Sequence, residues 1–81
     1  MTIRHLRIFI EVVTSGSMSA AASKLFISQP TVSQAIRELE EHYGVLLFNR
    51  LNRRLYITDE GKKLFSYAKG VLNQFDELEE K

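Results

Sequence analysis

The stretch from Ser17 to Leu39 constrains this chain most. Two runs of helix-forming residues meet there across only Phe26-Ile27-Ser28. Before the break, Ala20-Ala21-Ala22 combines high helix propensity with almost no side-chain bulk, so another helix can approach closely. After it, Val32, Ala35, Ile36 and Leu39 recur at helical spacing and define one buried face. Three residues make only a tight turn, and two helices joined this way form a helix-turn-helix. Ser17 and Ser28 suit the two N-caps. Pro30 falls in the first turn of the following helix, where a missing N–H costs nothing. Leu25 and Phe26 are the expected apolar anchor of the preceding one.

The flanks extend the pattern. Thr2 can cap a helix that buries Leu6, Phe9, Ile10 and Val13 and stops at Gly16. Gly44 ends the helix that starts at Ser28. Beyond it, Val45-Leu46-Leu47-Phe48 and Leu55-Tyr56-Ile57 read as short strands around the basic stretch Asn49 to Arg54. Thr58 can cap a last, long helix, with Asp59 and Glu60 at the positive end of its dipole. Leu64, Ala68, Val71, Phe75 and Leu78 follow a 4-3-4-3 spacing, a coiled-coil seam with Leu72 beside it. The last helix lacks a stop signal, as if the chain continued into something longer. The expected fold is mainly α. A winged helix-turn-helix of three helices and a two-stranded wing covers 1–58, with the helix-turn-helix at about 18–37 and the wing at about 45–57. A dimerisation helix covers 59–81.

At 81 residues, with 44% hydrophobic and 26% charged residues, the chain suits one small globular domain. It has no cysteine, so disulfides and thiolate metal sites are excluded. His5 and His42 lack acid or cysteine partners at ligand spacing. No paired carboxylates and no serine triad stand out, so neither catalytic residues, a metal nor a cofactor is expected. Phe9, Phe26, Phe48 and Tyr43 fall on apolar faces and are expected in the core. No apolar run reaches membrane length, and the charged N-terminus does not suit a secretory signal, which points to the cytoplasm. The net charge of +1 hides an asymmetry, because the last six residues hold four acids and one base. Residues 1–75 therefore carry ten bases against six acids, with Arg50, Arg53, Arg54, Lys62 and Lys63 in one stretch. Such a patch favours a polyanionic partner.

The helix after Ser28 carries the chemistry. Pro30, Ser33, Gln34, Arg37 and Glu41 share the face opposite its apolar side. Gln29, Thr31, Ser33, Gln34 and Arg37 are types that read the major groove: Gln pairs with adenine, Arg with guanine or phosphate, and Ser and Thr with several base edges. Pro30 and Thr31 offer apolar surface to a thymine methyl, and the amides at Ser28 to Pro30 suit a phosphate. A solvated helix face looks similar, but the short turn, the alanines and the basic hairpin favour double-stranded DNA. Arg50, Arg53 and Arg54 could keep an edge strand soluble. Behind a helix-turn-helix they read better as a wing on phosphates or in a narrow minor groove, with Arg53 and Arg54 nearest the tip. A protein-interaction module remains the alternative.

Several strings together resemble the LysR-type transcriptional regulators: Ser17-Met18-Ser19-Ala20-Ala21-Ala22-Ser23-Lys24-Leu25, Ser28-Gln29-Pro30-Thr31-Val32-Ser33, Leu47-Phe48-Asn49-Arg50, and Thr58 with Gly61. The match spans essentially the whole chain. The resemblance implies a bacterial, nucleoid-associated regulator that reads an inverted-repeat operator as a homodimer. It places Ser28, Gln29, Pro30, Thr31, Ser33, Gln34 and Arg37 at the major groove and Arg53 or Arg54 in the minor groove. It implies antiparallel pairing of linker helices, and a small-molecule effector bound by a following domain absent from this chain. Many relatives begin the linker helix with a Thr-Pro-Ala-Gly-like string; here it is Thr58-Asp59-Glu60-Gly61, which keeps the cap.

Overall fold

The computed structural model describes residues 1–80; Lys81, the last residue of the expected linker helix, lies outside the described residues. The elements run α1 (Ile3–Ser15), α2 (Met18–Leu25), α3 (Gln29–Tyr43), β1 (Phe48–Leu51), β2 (Arg54–Ile57) and α4 (Asp59–Glu79). All four helices begin on a hydroxyl cap. Thr2, Ser17, Ser28 and Thr58 accept from the backbone N–H groups of His5, Ala20, Thr31 and Gly61. Each such cap is worth about 1 kcal/mol. α1 and α3 end on Gly16 and Gly44 in the left-handed region, at φ +83° and +68°.

The core sits where α1, α2 and α3 meet. Phe9, Val12, Ala21, Val32 and Leu39 are fully buried, and Ile36 and Leu47 nearly so. Burying each larger side chain contributes about 1.5–3 kcal/mol. Ala21 and Ala22 are both buried, which lets α2 lie close against its neighbours. Phe9 meets Phe48 at 5.6 Å between ring centroids, tying α1 to the start of the hairpin. Ile10 and Val13 pack at the core's edge, while Ile8 and Val12 are buried in their place.

Two expected core aromatics lie outside it. Phe26 is 94% exposed. It ends α2 in the left-handed region at φ +57°, which turns its side chain outward. A bulky residue there costs about 1 kcal/mol or more. The backbone explains the geometry: the Ile27 N–H closes back onto the Ala22 carbonyl at 3.1 Å, and Ile27 packs on the core instead. Tyr43, in the last turn of α3, is also exposed.

The hairpin begins later than expected. Val45, Leu46 and Leu47 are not strand, because their backbone groups are already engaged. The Val45 N–H donates to the Glu40 carbonyl, and the Leu47 N–H donates to the Glu40 carboxylate at 2.8 Å. The carbonyls of Leu46 and Leu47 accept from the Thr58 hydroxyl and the Thr58 N–H. Pairing therefore starts at Phe48, in the antiparallel register Phe48↔Ile57 to Leu51↔Arg54. Asn52 and Arg53 form the turn with φ of +52° and +64°, the two positive values a type I′ turn needs.

α4 is anchored to the body. Ala68 and Leu72 are buried in the common core, α4 lies along α1, and Arg7 Nη2 donates to Asp76 Oδ1 at 2.6 Å. The expected seam is therefore split. Ala68 and Leu72 serve the chain's own core, because a helix packed on α1 must spend its small and apolar residues there. Leu64 and Phe75 are half-buried, while Val71 and Leu78 face outward with Tyr67. No helix is long and apolar enough to cross a membrane among the described residues.

Candidate nucleic-acid interface

The buried residues of α3 all fall on one side: Val32, Ala35, Ile36 and Leu39. That leaves Gln29, Pro30, Thr31, Gln34 and Arg37 exposed and Ser33 half-buried, with the cap Ser28 exposed before them. All seven residues singled out in the sequence thus line one outward ridge.

Their hydrogen bonds refine what each can offer. The Ser28 hydroxyl accepts from the Thr31 N–H and lies 2.7 Å from the Thr31 hydroxyl. These two side chains hold the helix start together. Pro30 has no N–H and the Thr31 amide is engaged, so the anion-binding amides expected from Ser28 to Pro30 reduce to those of Ser28 and Gln29. Arg37 Nη2 donates to Gln34 Oε1 at 2.7 Å. Gln34 then presents its amide N–H groups outward, and one of the two lone pairs of its oxygen is already taken, which hinders two-point pairing with adenine. Gln29 keeps both edges.

Glu38, the first acid along α3, is turned aside. Its Oε1 lies 3.1 Å from His5 Nε2, and the other ring nitrogen of His5 contacts the Thr2 hydroxyl at 2.8 Å. The N-cap of α1 is thereby tied to the flank of α3.

The three arginines of the wing converge with this ridge. A groove of about 660 Å³ runs between the start of α2, the start of α3 and the hairpin. Arg50, Arg53 and Arg54 line it together with Ser17, Ser19 and Gln29. The type I′ turn places Arg53 in the turn itself, with Arg54 next to it at the start of β2. Lys62 and Lys63, neighbours of the wing in sequence, are carried by α4 instead.

One cation was missed in the sequence. Arg4, exposed in the first turn of α1, lines a second groove of about 370 Å³ with Pro30, Thr31 and Gln34 on the other flank of α3. A helical wheel puts Arg4 off the apolar face of α1. Nothing in the sequence says that α1 starts beside the exposed end of α3. The ion pairs among the described residues are His5–Glu38, Arg7–Asp76 and Lys24–Glu11, so Arg4, Arg37, Arg50, Arg53 and Arg54 face no carboxylate at bonding distance. No group of three metal-ligating side chains occurs among the described residues.

Comparison with known proteins gives the arrangement a context. The model for "Bacterial regulatory helix-turn-helix protein, lysR family" matches residues 3–62. The RuBisCO operon transcriptional regulator of Allochromatium vinosum is 36% identical over 80 residues, 99% of this chain and 26% of that protein. The HTH-type transcriptional regulator BenM of Acinetobacter baylyi is 41% identical over 78 residues, 96% of this chain and 26% of that protein. The chain thus spans about a quarter of the length of these curated relatives, which are transcriptional regulators, not enzymes. Among solved structures, the BenM DNA-binding domain with catB site 1 DNA superposes with a TM-score of 0.91 at 41% identity, covering 96% of this chain and 87% of that one. The CbnR DNA-binding domain in its DNA complex gives 0.93 at 32% identity, covering 99% and 92%. The fold is a winged helix-turn-helix of the kind these domains share.

Proposed function

This chain belongs to the lysR family of bacterial regulatory helix-turn-helix proteins, and we propose that it binds duplex DNA in a sequence-specific way as a homodimer on an inverted-repeat operator. The observation that carries this reading is the outward ridge of α3, flanked on both sides by unpaired arginines. A helix lying in the major groove has a phosphate backbone on either hand. Gln29, Ser33, Gln34 and Arg37 then reach base edges, Pro30 and Thr31 face thymine methyls, and Ser28 holds the helix start near a phosphate. Arg53 and Arg54 enter the adjacent minor groove, Arg50 follows the phosphates between wing and helix, and Arg4 meets the opposite strand.

Dimerisation proceeds through α4. Tyr67, Val71 and Leu78 are 75%, 45% and 69% exposed, a large apolar area for so small a body. With Leu64, Tyr67 and Val71 line a groove that continues onto Met1, Ile3 and Tyr43. A second copy laid antiparallel along α4 covers this strip and sets two α3 helices on one face of the duplex. In the whole protein, a small-molecule effector acts through a separate domain, in the bacterial cytoplasm.

Selection of bound sequences from a random duplex pool tests the reading. Related half-sites in inverted repeat are expected, and affinity for the recovered site should fall steeply with salt. A pool without enrichment, or an affinity that stays level as salt rises, overturns it and favours a protein partner.

A further inference from the structure

We propose that the Met18 thioether is a positioning residue that determines how Ser33 and Arg50 meet DNA, an inference that rests on the DNA-binding reading. Met18 opens α2 and is 9% exposed. Its Sδ lies 3.2 Å from Ser33 Oγ and 3.5 Å from Arg50 Nη2. Residues of α2, α3 and β1 therefore converge on one sulfur atom at the wall of the wing groove. A thioether accepts and cannot donate, so both partners must be donors.

For Ser33 the consequence is chemical. A serine inside a helix often returns its hydroxyl proton to the carbonyl four residues back. Here the proton points at Met18, and the oxygen keeps its lone pairs for an incoming group. A hydroxyl free to rotate can bond donor and acceptor bases alike. One whose proton is held by sulfur selects amino groups, those of cytosine N4 or adenine N6. For Arg50 the consequence is geometric. One N–H is held at the groove wall, and the remaining donors of the guanidinium stay available to phosphate. An aliphatic side chain of the same shape would fill the space but leave both groups unanchored.

The chain has only two methionines, Met1 and Met18, so uniform replacement by norleucine changes one buried position, the sulfur becoming a methylene. Methionine, selenomethionine and norleucine proteins, each with and without Ser33→Ala, are titrated against two duplexes. One is recovered from a random pool with the methionine protein; the other is a scrambled duplex of equal length. Norleucine should lower the ratio of the two affinities roughly 3- to 10-fold for each half-site bound, the size of one ordinary hydrogen bond, at a nearly unchanged melting temperature. Selenomethionine should retain the ratio, and in the Ser33→Ala background norleucine should cost no further discrimination. Equal ratios for methionine and norleucine overturn the inference, as does an undiminished norleucine loss in the Ser33→Ala background. A methionine protein that fails to enrich any sequence is a different result: it sinks the DNA-binding reading itself.

Discussion

Gly61 lies so close to Leu47 that a Cβ on it would collide with the Leu47 carbonyl oxygen. The same oxygen accepts from the Thr58 N–H at 2.9 Å. The first turn of α4 is therefore pressed onto the segment that leads out of α3, and this contact sets the direction in which α4 leaves the domain.

Gly61→Ala should destabilise the chain by about 1–3 kcal/mol, as overpacking does. In a domain this small that lowers the melting temperature by roughly 4–8 °C per kcal/mol. Helix propensity alone argues the other way, since alanine in an open helix position gains about 1 kcal/mol over glycine. Thermal unfolding followed by circular dichroism gives the sign. A raised midpoint would mean the close approach is absent.

Val71 and Leu72 are neighbours with opposite surroundings, 45% and 7% exposed. Val71→Asp should leave the fold intact and dissociate the proposed dimer, because in it the charge would be buried by the second copy. Leu72→Asp should unfold the chain, since the charge enters the core. Sedimentation with circular dichroism separates the two effects, and a Val71→Asp protein that remains dimeric removes α4 from the interface.

Arg37→Ala should release the amide oxygen of Gln34. Gln34 can then turn both edges of its amide to adenine, so sequences selected from a random pool should gain adenine at one position per half-site. Affinity for the original site should fall by about 1–3 kcal/mol. An identical selected sequence would show that the Arg37–Gln34 hydrogen bond has no bearing on readout.

The arginines on the two flanks of α3 should act through phosphate and salt. Arg4→Ala should weaken binding to all duplexes alike and make the slope of log affinity against log salt shallower by about 0.9 for each protomer bound, one phosphate contact apiece. Arg53→Ala with Arg54→Ala should flatten it further, with a larger loss on sites flanked by A·T-rich sequence. Fluorescence anisotropy between about 50 and 200 mM salt measures both. An unaltered slope for Arg4→Ala would take α1 out of the footprint.

Much of the fold could be read along the chain because its determinants are local. Thr2, Ser17, Ser28 and Thr58 cap the residues three ahead of them, and Gly16 and Gly44 end helices by their own backbone freedom. The apolar face of α3 follows from the helical repeat alone, and with it the opposite, outward face. The ridge from Ser28 to Arg37 was therefore legible before any packing was known.

What the tertiary structure decided depends on which backbone and side-chain groups meet across long separations. Phe26 looks like a core residue by type, but the turn between α2 and α3 needs a left-handed residue and turns it outward. Val45 to Leu47 look like strand, yet Glu40 and Thr58 hold their N–H and carbonyl groups. The heptad spacing of α4 cannot say whether Ala68 faces α1 or another chain, since both would bury it; α1 is the neighbour that takes it. Arg4 reaches the flank of α3, and Met18 meets Ser33 and Arg50, only because helix packing brings those segments together. Periodicity and capping are properties of a few consecutive residues, whereas a neighbour 15 or 32 positions away is chosen by how the helices pack.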